Sequence, residues 1–199
     1  MTGIALSFLI LAPPPTASAS AWSSTALQQD TACIVMRADL AERPSPLDSL
    51  TFEVGGHPVK LCYGRPSARG RTMIGGQKVP FGKLWRTGAN EPTMIHTTAP
   101  ISVAGVAIDA GSYSLYTVPG AEEWVVILNR SITQWGHESR YRDEVAEAEV
   151  GRGTVPSEQL SEHVETMTFR AEQGPAGSAT LILEWEHTRM RIPVTPRVQ

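Results

Sequence analysis

The sequence predicts an all-β fold: a single antiparallel β-sandwich or partly open barrel with long irregular loops and one or two short helical turns. Three observations carry that prediction. The chain holds 15 prolines and 17 glycines among 199 residues, a density of breakers that suits short strands and turns better than long helices. Apolar and polar residues alternate with a period of two in run after run, as strands with one buried face do. About nine or ten such runs are separated by turn signals at the spacing of a sandwich or barrel.

Taken in order, Ser49-Leu50-Thr51-Phe52-Glu53-Val54 and Val59-Lys60-Leu61-Cys62-Tyr63 flank Gly55-Gly56 and read as a β-hairpin around a glycine turn. Residues 93–97, 101–103 and 106–108 read as short strands, the last two joined by Ala104-Gly105. Residues 112–118 and 124–129, rich in Val, Tyr, Leu and Ile, form the clearest hairpin, with Pro119-Gly120 between them. Residues 131–151 turn polar, and a short helix is expected over 140–146. Ser157 is a candidate N-cap for a helical turn over 157–163, after which residues 166–170 alternate as a strand. In the last pair, Leu181, Leu183 and Trp185 share one face while Glu184 and Glu186 share the other. Met190, Ile192 and Val194 alternate with Arg189 and Arg191, so opposite charges are set to pair across the hairpin.

The ends and the charge frame the domain. Residues 4–12 are an apolar run, followed by Pro13-Pro14-Pro15 and the small residues Ala17-Ser18-Ala19-Ser20-Ala21. This reads as the apolar and cleavage regions of a secretory signal, though without a positively charged start, and the run is too short to span a bilayer. The expected organisation is a signal-like segment over 1–21, a flexible leader over 22–31 and one β-rich domain over 32–197, exported to the periplasm or beyond. A formal charge of −3 gives no reason to expect nucleic acid or an anionic membrane as partner. In an oxidising compartment Cys33 and Cys62 are the natural disulfide pair, whereas in the cytosol both would be free buried thiols.

Residues 63–91 break the alternation. Six glycines, four arginines and two prolines fall there, together with Trp85, Asn90 and Glu91. Such a stretch is a poor core and a good irregular surface, because glycine serves where backbone takes positive φ or approaches something closely. The Walker pattern Gly-x-x-x-x-Gly-Lys-Ser/Thr is absent and no strand–turn–helix follows, so phosphate-loop and dinucleotide readings fall away. No serine stands in a nucleophile elbow, which excludes that class of hydrolase.

A set of residues here resembles a known family. Cys62-Tyr63-Gly64-Arg65-Pro66-Ser67, Gly70-Arg71, Gly75-Gly76, Val79-Pro80-Phe81-Gly82, Leu84-Trp85-Arg86-Thr87-Gly88-Ala89-Asn90-Glu91 and Gly111-Ser112-Tyr113-Ser114-Leu115 resemble the bacterial family catalogued as domain of unknown function 2911. The likeness continues through Val118-Pro119-Gly120, Asn129, Trp135-Gly136 and Glu184-Trp185, covering roughly residues 31–195. The resemblance implies an exported or lipid-anchored β-rich protein of the bacterial envelope and assigns no residue a catalytic role. The apolar run here lacks a lipid-attachment cysteine at its end, which argues against an anchor.

The side chains therefore have to speak for the chemistry. Arg65, Arg71 and Arg86 bring guanidinium forks that bind carboxylate or phosphate in bidentate fashion; with Asn90 and the irregularly placed Trp85 and Trp135 they are the candidate ligand-binding set, for an anionic or carbohydrate-like small molecule. The competing reading pairs the arginines with Glu91, Asp109, Glu184 or Glu186 to pin loops. Glu91 and His96 are the candidate acid–base pair of a hydrolase. His96 and His137 are the candidate metal ligands, with Glu91 completing a two-His carboxylate set if the two loops converge. His57, His163 and His187 are expected to face solvent. No cofactor is expected, and no oligomeric state is implied.

Overall fold

The computed structural model describes residues 32–197 except Ala38; the signal-like segment and leader expected over 1–31 lie outside the described residues. Nine strands account for the fold: β1 (Leu47–Val54), β2 (His57–Gly64), β3 (Thr93–Thr97), β4 (Ile101–Val103), β5 (Val106–Ile108), β6 (Gly111–Val118), β7 (Glu123–Asn129), β8 (Glu149–Gln173) and β9 (Ala179–Pro196). They form one antiparallel sheet in the order β1-β2-β3-β6-β7-β8-β9-β4-β5, not closed into a barrel. The all-β class read from the alternation is the class observed. The helical content among the described residues is a four-residue helix α1 (Asp143–Ala146) and 3-10 turns at Leu40–Glu42, Glu138–Arg140 and Pro175–Gly177.

One strand makes the sheet double over. Residues Glu149 to Pro156 of β8 pair with β7, and Ser157 to Gln173 pair with β9, so a single strand passes from one half of the sheet to the other. The inner faces of the two halves bury Leu61, Ile95, Leu115, Trp124 and Leu128 against Met167, Leu181, Leu183, Trp185 and Ile192. Where one strand supplies several of them, as with Leu181, Leu183 and Trp185 or Trp124 and Leu128, they stand an even number of positions apart, and burial of one face is what fixes register in such a sheet. The edge strand β1 is fastened back: the Gly55 amide donates to the Gly177 carbonyl at 2.8 Å, and Gln173 donates to the Glu53 carbonyl at 3.2 Å.

The helical turn expected over 157–163 is absent. Residues 157–163 belong to β8, and the register with β9 slips between Gln159 and Val164. The Ser157 hydroxyl signalled an N-cap, but its backbone donates to the Glu122 carbonyl at 2.8 Å as part of the ladder. Pairing of residues 157–159 with Thr188, Arg189 and Met190 of β9 outweighs a local capping preference worth about 1 kcal/mol.

The outer face of β2, β3, β6 and β7 is covered too, which is why all five residues of β3 are buried. Cys62, Met94, Tyr116 and Ile127 stand on that face. The strap of residues 32–46 reaches it through the Cys33–Cys62 disulfide, and the segment 130–148 through Gln134 on the Tyr116 hydroxyl at 2.8 Å and Tyr141 edge-on to the Tyr116 ring at 4.9 Å.

Candidate functional site

Between β2 and β3 the chain makes an excursion of residues 65–92 with almost no regular pairing of its own, and the strands around it hold it in shape. It first borrows an edge of β8: the Ala68 amide donates to the Glu165 carbonyl at 2.9 Å, and the Met167 amide to the Pro66 carbonyl at 2.9 Å. Next, the Glu186 carboxylate accepts from the Met73 amide at 3.0 Å and the Ile74 amide at 2.7 Å. Glu186 reaches them from a left-handed backbone, φ 53°, a conformation costly for a non-glycine residue and therefore held by its surroundings. The chain then crosses to β6, where Trp85 and Thr117 exchange both backbone bonds at 2.7 and 2.9 Å. Finally, it returns beneath its own start, the Ala89 amide donating to the Gly64 carbonyl at 3.2 Å.

That arch encloses a cleft of about 480 Å³. Met73, Val79, Trp85 and Trp185 give it an apolar floor, and Arg71, Gln77, Lys78, Arg86, His137 and Glu138 give it polar walls. Trp85 lies stacked on Trp185 at 5.9 Å between ring centroids and edge-on to Trp124 at 6.0 Å. It is only 4% exposed, and its indole N–H donates to the Gly88 carbonyl at 3.1 Å. Trp85 thus supports the floor rather than offering an open ring to a sugar face.

The guanidinium groups are held differently from one another. Arg71 donates through Nε to the Ala68 carbonyl at 2.8 Å and through one terminal nitrogen to the Ser67 carbonyl at 3.0 Å. Backbone oxygens carry only partial charge, so the cation is positioned without being neutralised. Arg86 donates to both carboxylate oxygens of Glu138 from one nitrogen, at 3.1 and 3.2 Å, while its Nε is buried with no partner. A buried donor left unsatisfied costs about 1–3 kcal/mol, so Arg86 is under-bonded where it stands. With Lys78 the lining holds three cations against one carboxylate, a local positive field in a chain of net charge −3.

Arg71, Trp85, Arg86 and His137 come together at this cleft. The other residues singled out from the sequence have structural partners elsewhere. Arg65 donates to the Met167 carbonyl at 3.1 Å and the Thr168 hydroxyl at 2.9 Å, with Asp48 at 3.6 Å. Asn90 takes a left-handed turn, φ 66°, and its amide holds the Ser45 carbonyl at 2.9 Å. Trp135 lies under the Arg37 guanidinium at 4.1 Å, a cation–π contact. None of Arg65, Arg69, Arg71 and Arg86 pairs with Glu91, Asp109, Glu184 or Glu186: Arg65 faces Asp48 and Arg86 faces Glu138. Of those acids, Glu184 is bonded by Arg189 at 2.6 Å, but the hairpin expected there is not formed: both residues lie on the single strand β9, which pairs along its length with β8, and the contact runs along one strand.

Glu91 and His96 have separate partners. Glu91 is 4% exposed and receives a bidentate fork from Arg43 at 2.6 and 3.0 Å plus the Met36 amide at 2.9 Å. Burial pushes its carboxyl up, but the Arg43 guanidinium and the Met36 N–H more than offset this and hold it below the usual carboxylate range. His96, on the outer face of β3, shares a 2.7 Å hydrogen bond through Nδ1 with the Ser112 hydroxyl. Its Nε2 is buried with no partner, and burial first, then the Lys60 charge, push its pKa down. Among the described residues no group of three or more His, Cys, Asp or Glu side chains converges as a metal-ligand set, so the two-His carboxylate arrangement is not assembled.

Sequence reasoning missed Arg43, the partner of Glu91, because nothing in Arg43-Pro44 marks a contact 48 positions away. It also missed Gln77 in the cleft wall, a polar residue of an irregular loop with no motif around it.

Fold and site together define a class: an antiparallel β protein with a disulfide-tied strap on one face and a basic cleft under an irregular arch. Residues 45–194 match a family model described as protein of unknown function (DUF2911), and the chain belongs to that family. No curated protein and no solved structure matches it. No helix among the described residues is long and apolar enough to cross a membrane.

Proposed function

We propose that this protein is an exported binding module of the cell envelope whose cleft takes a small anionic ligand of sugar-acid or phosphorylated-sugar type. The observation that carries the reading is the cleft wall itself: Arg71, Lys78 and Arg86 against the single carboxylate of Glu138. Arg71 and Arg86 retain unused donors in a rigid fork, the geometry that matches carboxylate and phosphate. Gln77 adds a neutral donor and acceptor of the kind that reads sugar hydroxyls. A volume of about 480 Å³ is within the range of small-molecule sites. Export is supported by the Cys33–Cys62 disulfide, which persists in oxidising compartments, and by the signal-like composition of residues 1–21. An acid–base hydrolase built on Glu91 and His96 draws no support from the geometry, since Arg43 takes one and Ser112 the other.

The test is a thermal-shift screen of the purified chain against sugar acids, sugar phosphates and peptidoglycan fragments. A ligand at 100 times its Kd stabilises by about 2.7 kcal/mol, a shift well within reach of the measurement. Arg71→Ala and Arg86→Ala are expected to abolish the shift for the anionic members while folding normally. No shift with any compound of the panel, or shifts that survive both substitutions, would overturn the reading.

A further inference from the structure

We propose that His163 and His187 form a surface site for a borderline divalent transition metal of the Zn²⁺, Ni²⁺ and Cu²⁺ group, built from residues that do not line the cleft. The site is built by the larger of the two irregularities of the β8–β9 ladder. Gln159 pairs with Thr188 and Val164 with Glu186, so four residues of β8, 160–163, stand opposite the single residue His187 of β9. An excess of that size makes the chain bulge, and bulges re-aim side chains. Here the bulge lays His163 edge-on against His187, with ring centroids 5.3 Å apart and planes at 64°.

That spacing suits a shared metal ion. With metal–nitrogen bonds of about 2.0–2.1 Å and each ring centre about 1.1 Å beyond its nitrogen, two imidazoles on one tetrahedral ion have centroids about 5 Å apart. The tautomer is favourable as well. His187 Nδ1 lies 3.2 Å from the Leu160 carbonyl oxygen, which only accepts, so Nδ1 carries the proton and Nε2 keeps its lone pair for a ligand. A backbone carbonyl on the far nitrogen is the usual device for orienting a metal-bound histidine. The bulge supplies both the second ligand and the group that orients the first.

The surroundings favour a cation. Both histidines are exposed, so neither must be freed from a core. Glu162 precedes His163 and Glu186 precedes His187 in the chain, and carboxylates nearby lower the cost of bringing in a dication. Glu186 itself is engaged with the Met73 and Ile74 amides. The protein therefore offers two nitrogens and leaves the remaining positions to water, an open coordination typical of exchangeable surface binding. Imidazole pairs select Zn²⁺, Ni²⁺ and Cu²⁺ over Mg²⁺ and Ca²⁺, which prefer oxygen.

The experiment uses the untagged chain, freed of metal and titrated calorimetrically with Zn²⁺ and Ni²⁺. One equivalent is expected to bind. His163→Ala is expected to weaken binding by more than about tenfold, a loss at least as large as that seen when an outer-shell partner is removed. It breaks no hydrogen bond, so its melting temperature is expected to stay at the native value. His187→Ala is expected to match it in affinity, and His57→Ala and His137→Ala to bind as the native protein does. Arg86→Ala, which damages the cleft, leaves the metal titration unchanged, so this proposal and the ligand proposal fail independently. Stoichiometric binding that survives His163→Ala, or that is lost equally on changing His57 or His137, would overturn it, as would the absence of any heat with either metal.

Discussion

His96 shows at the level of one residue how burial turns a surface-type side chain into a pH-dependent part of the fold. It is 4% exposed, bonded at Nδ1 to Ser112 and unpartnered at Nε2. Protonation would put a second cation beside Lys60 in a place that already disfavours charge, and both effects push the pKa below its ordinary 6.5. The unfolded chain then takes up the proton before the folded one does. The contribution of His96 to stability is intact above pH 6.5 and is lost as pH falls below that value through the folded pKa. We expect the denaturant midpoint of the native protein to fall between pH 7 and pH 5. His96→Gln is expected to flatten that slope, and an unchanged slope in the variant would show that another group sets it. Strand alternation over residues 93–97 puts Met94 and His96 on the face opposite Thr93 and Ile95. It did not show that the outer face was covered, because the covering segments, 32–46 and 130–148, have no apolar periodicity to announce them.

At the scale of elements, the excursion between β2 and β3 is shaped by close backbone approach as much as by turn geometry. Gly64 has an ordinary strand conformation, yet a Cβ built there would stand 1.9 Å from the Ala89 carbonyl oxygen. Its glycine is required by the return of the loop beneath the strand end, where the Ala89 amide bonds the Gly64 carbonyl. Gly136 is used in the same manner, its position for a Cβ lying 2.4 Å from the Asn90 carbonyl oxygen; it seats the loop that carries His137 and Glu138 into the cleft. In both cases the neighbour is backbone and has no side-chain freedom with which to yield. Gly64→Ala is expected to cost more than about 3 kcal/mol, the upper end of ordinary overpacking, read as a shift in urea midpoint at constant slope. A cost below 1 kcal/mol would mean that the arch slides freely, and that the cleft it encloses is not held at one width. The hairpins were legible because Gly55-Gly56 and Pro119-Gly120 punctuate clean alternation. The long β8 was not, because Gly151, Gly153 and Pro156 look like loop residues in isolation. Gly153 is in fact a close approach to the Ala104 carbonyl, 1.9 Å from a built Cβ, and Pro156 sits where β8 leaves β7 for β9.

For the molecule as a whole, the strap of residues 32–46 joins the outer face to the cleft, and its ties act as a unit. The Cys33–Cys62 disulfide holds its beginning, and the Arg43–Glu91 fork, buried to 3% and 5% side-chain exposure, holds its later half. Between them Arg37 covers Trp135, whose neighbour Gly136 donates to the Asn90 carbonyl at 3.2 Å. The loop bearing Glu138 is therefore supported by the strap. Each tie has its own magnitude. A disulfide spanning 29 positions stabilises by about 3.5 kcal/mol in the chain-entropy account. Glu91→Gln takes the bidentate carboxylate from the buried Arg43 guanidinium and leaves it only the exposed Asp39, at 3.0 Å, as counter-charge, a loss of up to about 3–5 kcal/mol. If the strap docks as one piece, losing either tie lets it lift and forfeits most of what the other contributes. The double variant Cys33→Ser with Glu91→Gln is then expected to cost less than the sum of the two singles, by more than the 0.3–0.5 kcal/mol within which independent sites add. Urea denaturation of the four proteins of this cycle measures that difference directly. Strict additivity would show two separate clasps, each holding its own few residues, and would leave the Glu138 loop indifferent to the redox state of the cysteines.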